Sequence, residues 1–297
     1  MPPWPCGRRT VSRLAGLLLV GAAVAGTFAA AHADGLSQPI QVAESGDNEI
    51  WVAPGAIDPE LEARLNEKAV VYRQMALDDI ARMVGSADRM LAAMQANDAQ
   101  TARQEWKTTR VYFERTQTVT YMVPDIVSVI DDWPYATEGF HAVETQLFTA
   151  GAPLPLAETQ RLVRQLHVLR GILQPAPLSA HEVLVGIGTV AYQLYDSKPL
   201  QDQSSASGTS LQDMQHNVEG MIQAWDTVFA DIMAEQNLAV AGRVVQHLGA
   251  VKQMLQVPTF AQLDVPRFQE EAGALTDDLS DIALGVHWRQ PDFTGRD

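Results

Sequence analysis

"DPELEARLNEKAVVYRQMALDDIARMVGSADRMLAAM", Asp58 to Met94, is the stretch whose reading decides the fold. Asp58 is a capping residue, Pro59 follows in the first turn, and Glu60 and Glu62 place negative charge at the positive end of a helix dipole. The helical spacing recurs downstream. Leu162, Leu166, Leu169 and Leu173 form one apolar row. Leu211, Met214, Val218, Met221, Trp225, Val228 and Ile232 form another, and Ala241, Val244, Leu248, Val251 and Leu255 a third. Phe268, Ala272, Leu275, Leu279 and Ile282 form the last. Alternation of the strand type is absent outside a short leader. Breaks are expected at Pro124–Pro134, Gly151–Pro155, Pro175–Pro177, Pro199–Gly208 and Pro258. The fold class is therefore all-α, with long helices packed as bundles, about three helices before residue 150 and about five after it. "DQSSASG", Asp202 to Gly208, is polar and Ser-rich and is expected to be an exposed loop.

The first 33 residues have the pattern of an export signal: Arg8, Arg9 and Arg13, the apolar "LAGLLLVGAAVAGTFAAA", then "AHA" ending at Ala33. "RRTVSR" is similar to a twin-arginine signal, and an ordinary secretory signal fits as well. Residues 34–56 form an irregular leader. Residues 57–290 form the helical domain, divided into bundles at roughly 57–150 and 151–290. No later stretch approaches a membrane span, so no membrane insertion is expected after signal cleavage, and the protein is expected to be periplasmic or secreted. Cys6 is the only cysteine and lies in the signal, so disulfides and thiolate ligands are excluded from the exported protein. A metal would have to use His, carboxylate, backbone oxygen or water, which suits iron, zinc, manganese or calcium better than copper(I). The formal net charge of −15 argues against nucleic acid and anionic membrane surfaces as partners and attracts cations without selecting among them.

"EGFHAVETQLF", Glu138 to Phe148, carries the candidate chemistry. On a helix His141 and Glu144 lie one turn apart on one face, with Glu138 a turn away on the other side. Phe140, Val143 and Leu147 form a separate apolar stripe, so the pair is expected to be covered and to need partners. A second pair, His216 and Glu219, has Gln212 and Gln223 as same-face neighbours and is expected to be solvated. Glu114 lies in "RVYFERTQ", on an amphipathic helix with Trp106, Tyr112 and Phe113. Asp131 and Asp132 lie in "VIDDWPY", read as a non-helical connection. These carboxylates could join His141 and Glu144 in a site of three or four ligands. On spacing alone, a buried His–Glu hydrogen bond that only ties helices together is the simpler reading.

"WKTTRVYFERTQ", "IDDW" and "GFHAVE", in that order, resemble the imelysin-like family, which includes components of iron uptake and relatives once classed as peptidases. Gly139, His141 and Glu144 match its G-x-H-x-x-E. Glu114 matches the first acid of its Y-E-x-x-E helix, and Asp131 the aspartate of its I-D-x-R segment. Ser207, Thr209, Leu211, Asp213, Asn217 and Gly220 match a downstream segment. The resemblance implies two helical bundles related by an internal repeat. It also implies an exported protein that binds a divalent metal, iron foremost with zinc or manganese as alternatives, for delivery to an inner-membrane permease. The implied metal residues are His141, Glu144, Glu114 and Asp131. Three departures stand out: Gln117 replaces the second acid of Y-E-x-x-E, Trp133 replaces the arginine, and Ser210 replaces an aspartate. Lost ligand charge weakens or retunes metal binding. Two rival functions follow. One is a zinc-dependent metallopeptidase, although the chain has no H-E-x-x-H and only an isolated His181–Glu182. The other is a helical binding protein with no metal, for which enzyme activity is not expected.

Overall fold

The computed structural model describes residues 57–133 and 137–294 together with two short strands, β1 (Ala43–Glu44) and β2 (Ile50–Trp51). The expected export signal lies outside the described residues. Within the expected leader, β1 and β2 pair antiparallel, with Ala43 opposite Trp51. These strands belong to one unit and the helices to another.

Eleven α-helices make up the helical unit among the described residues. The first five are α1 (Pro59–Gln95), α2 (Ala99–Arg115), α3 (Gln117–Thr120), α4 (Pro124–Ile130) and α5 (Gly139–Leu147). The rest are α6 (Leu156–Leu173), α7 (Ala180–Asp196), α8 (Ser210–Val228), α9 (Ala230–Gln236), α10 (Leu238–Met254) and α11 (Val265–Gly285). The start of α1 is the one read from sequence: the Asp58 carboxylate accepts from the Glu60 N–H, and Pro59 opens the first turn.

Two boundaries differ from the sequence expectation. Pro124 does not begin a break; it begins α4, because proline at a first helical position loses no hydrogen bond and already has the right φ. The apolar row from Leu211 to Ile232 is continuous in sequence but is divided at Phe229 between α8 and α9.

The helices share one apolar core. Long α1 packs on α2, α6 and α8, while α7, α10 and α11 pack side by side. Helix α8 lies against α1, α2, α7 and α10 and so joins the early helices to the late ones. It approaches α2 closely at Gly220, where a Cβ would lie 2.2 Å from the Arg115 carbonyl oxygen. Only glycine allows that approach, and it brings Asp213 and Asn217 of α8 within reach of Arg110 and Glu114 of α2. A two-bundle division with an internal repeat stays a proposal. No helix among the described residues is long and apolar enough to cross a membrane.

Candidate functional site

The site begins with a tight turn. Gly139 has φ +70°, and a Cβ there would lie 2.2 Å from the Ile130 carbonyl oxygen. A side chain is excluded both by conformation and by contact. The end of α4 therefore lies directly against the start of α5, which brings Asp131 beside His141. Behind them Trp106, Phe113 and Phe140 fill the junction of α2 and α5, with ring centroids 5.0 Å apart for Phe113 and Phe140 and 6.2 Å for Trp106 and Phe140. The apolar stripe of α5 packs inward here, and His141 and Glu144 are covered as well, at 1% and 2% exposure.

Glu144 has no oxygen to spare. Its Oε1 accepts from the backbone N–H and the hydroxyl of Ser207, at 2.8 and 2.7 Å. Its Oε2 accepts from His141 Nδ1 at 3.1 Å. That bond fixes the ring and turns Nε2 toward Asp131, whose Oδ1 is 3.3 Å away. Nε2 is buried and makes no well-formed hydrogen bond. The indole of Trp133 lies tilted against the imidazole, 5.1 Å between centroids, and its Nε1 donates to Gln201.

Beyond Asp131 stands Arg110, which none of the sequence motifs singled out. Its guanidinium, itself buried, touches three carboxylates. It donates to Asp131 Oδ1 at 2.5 Å and to Asp213 Oδ2 at 3.1 Å, and it contacts Glu114 Oε1 one turn along α2. It also lies over the rings of Phe113 and Phe140. Glu114 is filled from its other side. Its Oε2 accepts from Lys198 at 2.8 Å, Gln117 at 2.9 Å and Asn217 at 2.7 Å. Lys198 also donates to Asn217 and Gln117. Ser204 donates to Asp213. The loop expected to be exposed thus contributes Ser204 and Ser207, which grip two of the site's acids.

Of the four residues expected to hold metal, the structure gathers His141, Glu144 and Asp131 in one chain of contacts and places Glu114 one guanidinium further on. Among the described residues, no three His, Cys, Asp or Glu side chains stand as a ready metal cage. Asp132 turns away and accepts from Thr137, and Glu138 accepts from Gln165. The second pair, His216 with Glu219, is partly exposed, its acid at 46%. Arg110 was legible in part, four residues before Glu114 on the same helix. Lys198 lies 84 residues from Glu114 and Asp213 lies 103 from Arg110; Asp213 stood in the matching downstream segment, but nothing local joined either to α2.

The electrostatics follow from these contacts. Burial opposes the charge on His141, but its contacts with Asp131 and Glu144 outweigh burial and hold the imidazole up at about 9. Burial would raise Asp131, yet Arg110 and His141 hold it far below the usual carboxylate range. Glu144 is likewise lowered, by His141 and Ser207 against burial. Asp213 is raised, since burial there exceeds the pull of Arg110. A cleft of about 240 Å3 adjoins the cluster, its wall including Asp131, Trp133, Lys198, Gln117, Gln193 and Gln203. Solvent therefore reaches the cluster from the Asp131 side.

Comparison with known proteins now fixes the family. The sequence profile described as Imelysin (Peptidase_M75) matches residues 70–284. The chain belongs to the imelysin family. Among curated relatives it is similar to the iron uptake system component EfeM of Pseudomonas syringae pv. syringae, at 22% identity over 196 residues, covering 62% of this chain and 68% of the relative. Among solved structures it is similar to an iron-regulated protein A precursor from Parabacteroides distasonis, with TM-score 0.54 and 13% identity, over 78% of this chain and 95% of the other. That likeness concerns the fold alone. In this imelysin-family chain, the G-x-H-x-x-E motif is the turn at Gly139 followed by the Glu144-oriented His141.

Proposed function

We propose that this protein takes part in iron uptake outside the cytoplasm, holding a divalent metal as cargo at the His141–Asp131 face and passing it to an inner-membrane permease. One observation carries the reading: the buried cluster is short of positive charge. Against Glu114, Asp131, Glu144 and Asp213 stand the fixed charges of Arg110 and Lys198, and His141, whose ring must give up a proton to bind metal. With His141 neutral the deficit is two charges, which is that of a divalent ion. Unpaired buried charge is costly, so the cluster favours a cation. The buried Nε2 of His141, lacking a hydrogen bond, is the natural donor.

Within this reading the four sequence candidates take different parts. His141 Nε2 and Asp131 contact the cargo from the cleft side. Glu144 fixes the imidazole tautomer and orientation, as a carboxylate behind a ligating histidine does. Glu114 anchors Arg110 and Lys198. Two protein donors with water in the remaining positions make an open, mostly hard site that suits iron(II), with zinc or manganese as alternatives. An open site also releases its cargo, as delivery requires. The kinship with EfeM supports iron as the cargo.

The test is calorimetric titration of the protein with iron(II) under anaerobic conditions, and with zinc. His141→Gln and Asp131→Asn are expected each to remove one binding event. Undiminished binding in both variants sinks the assignment and leaves the structural reading, a buried ion cluster that only joins α2, α5 and α8.

A further inference from the structure

A second histidine lies between carboxylates on α10 and α11. His247 Nδ1 is 2.8 Å from Glu271 Oε2, and its Nε2 is 3.6 Å from Asp278 Oδ2. Asp278 Oδ1 in turn accepts from Arg243 Nε at 2.6 Å, and Arg243 reaches Asp281 at 3.1 Å. The order Glu, His, Asp, Arg repeats that of Glu144, His141, Asp131 and Arg110, on other helices and nearer the surface. We propose that His247 Nε2 and Asp278 Oδ2 form a second divalent-metal site, one that takes a borderline ion such as zinc.

Three features carry the proposal. The Glu271 carboxylate can only accept, so it holds the proton on Nδ1 and leaves Nε2 with its lone pair toward Asp278. Asp278 Oδ2 is buried without a hydrogen-bond partner, on a side chain only 7% exposed. With the ring in that tautomer two acceptors face each other across a gap, and a buried carboxylate oxygen without a hydrogen bond favours a cation there. The gap has the right width. Zinc bonds of about 2.0–2.2 Å at a tetrahedral angle separate neighbouring donors by about 3.4 Å. Charge agrees as well: Arg243 pairs with Asp278 and Asp281, while Glu271 contacts only the His247 ring among these groups, so with neutral imidazole the acids outnumber the one arginine. No third His, Cys, Asp or Glu completes the group among the described residues. Water therefore fills the other positions, and the partial exposure of His247 (18%) and Glu271 (23%) admits it. A proton on Nε2 would meet the same electrostatic need, and the experiment separates the two.

The full chain is dialysed against zinc and its content measured, beside His247→Gln, Glu271→Gln and His141→Gln. Wild type is expected to bind one zinc more than His247→Gln. Glu271→Gln, which removes only the orienting carboxylate, is expected to weaken that site about 10- to 100-fold. Nitrogen-15 spectra report on His247 in the intact protein: zinc is expected to displace any proton from Nε2 and shift that nitrogen. Equal zinc content in wild type and His247→Gln overturns the proposal, as does a His247 Nε2 that stays protonated in saturating zinc. The His141→Gln arm tests the other site alone, so failure at one is not mistaken for failure at the other.

Discussion

Arg110 is the residue on which the buried cluster depends. Its buried guanidinium contacts three carboxylates. Arg110→Met keeps the stem and removes the charge, leaving those acids unpaired. A loss of about 3–5 kcal/mol is expected in denaturant unfolding at neutral pH. The share that rests on Asp131, whose folded value is depressed, is present above about pH 4 and fades as pH falls toward that lowered value. His141 sets a dependence of the opposite sense in the metal-free protein. Its folded pKa, about 9, lies above the unfolded value near 6.5. The raised value means the imidazolium stabilises the fold. That contribution is complete below about pH 6.5 and disappears as pH rises through about 9. Unfolding curves from pH 6 to 10 are expected to show this decline in wild type and a flatter profile in His141→Phe. Equal slopes would mean that His141 is not charged between Asp131 and Glu144.

At the scale of elements, the site exists because α4 stops against α5 and because the loop between α7 and α8 reaches Glu144 of α5 and Asp213 of α8. Gly139→Ala tests the first contact. It imposes a side chain at positive φ and drives a Cβ into the Ile130 carbonyl. A loss of about 3 kcal/mol or more is expected, with metal affinity falling too because Asp131 is pushed from His141. The loop is held by Ser207 on Glu144 and by Ser204 on Asp213. Glu144→Gln separates orientation from ligation. If Glu144 only steers the imidazole, metal affinity drops about 10- to 100-fold while stoichiometry is kept. Loss of the binding event altogether would make Glu144 a ligand. The helical character of this part of the chain was legible, but the sequence reads as a break at Pro124, where α4 starts, and the Ser179–Glu182 capping box that opens α7 is a finding of the structure. The loop's role was not legible, because serines that read as solvated in sequence donate to acids from another element.

For the whole molecule, the deficit of positive charge in the cluster predicts stabilisation by its cargo. A ligand that binds only the folded state at about 100 times its Kd adds about 2.7 kcal/mol. In a body of this size that raises Tm by roughly 5–10 °C. Thermal melts with iron(II), zinc and manganese check this. Melting points unmoved by all three would favour a cluster that serves structure alone. The strongly acidic composition contributes only a weak, unselective attraction for cations. On the proposed function, selection would arise at the few buried acids that the protein's own arginines and lysines leave unmatched.

The sequence by itself determined the helical class, the start of α1, the apolar faces and the G-x-H-x-x-E motif with its acids upstream. These are local properties: capping chemistry, a period near 3.6 and a run of residues close in the chain. Tertiary structure decided which acids are already satisfied. Lys198 reaches Glu114 across 84 residues and Asp213 reaches Arg110 across 103. Charge pairing acts over a few ångströms in space whatever the separation along the chain, so no spacing could disclose it. A carboxylate's availability as a ligand depends on what surrounds it once the helices have packed.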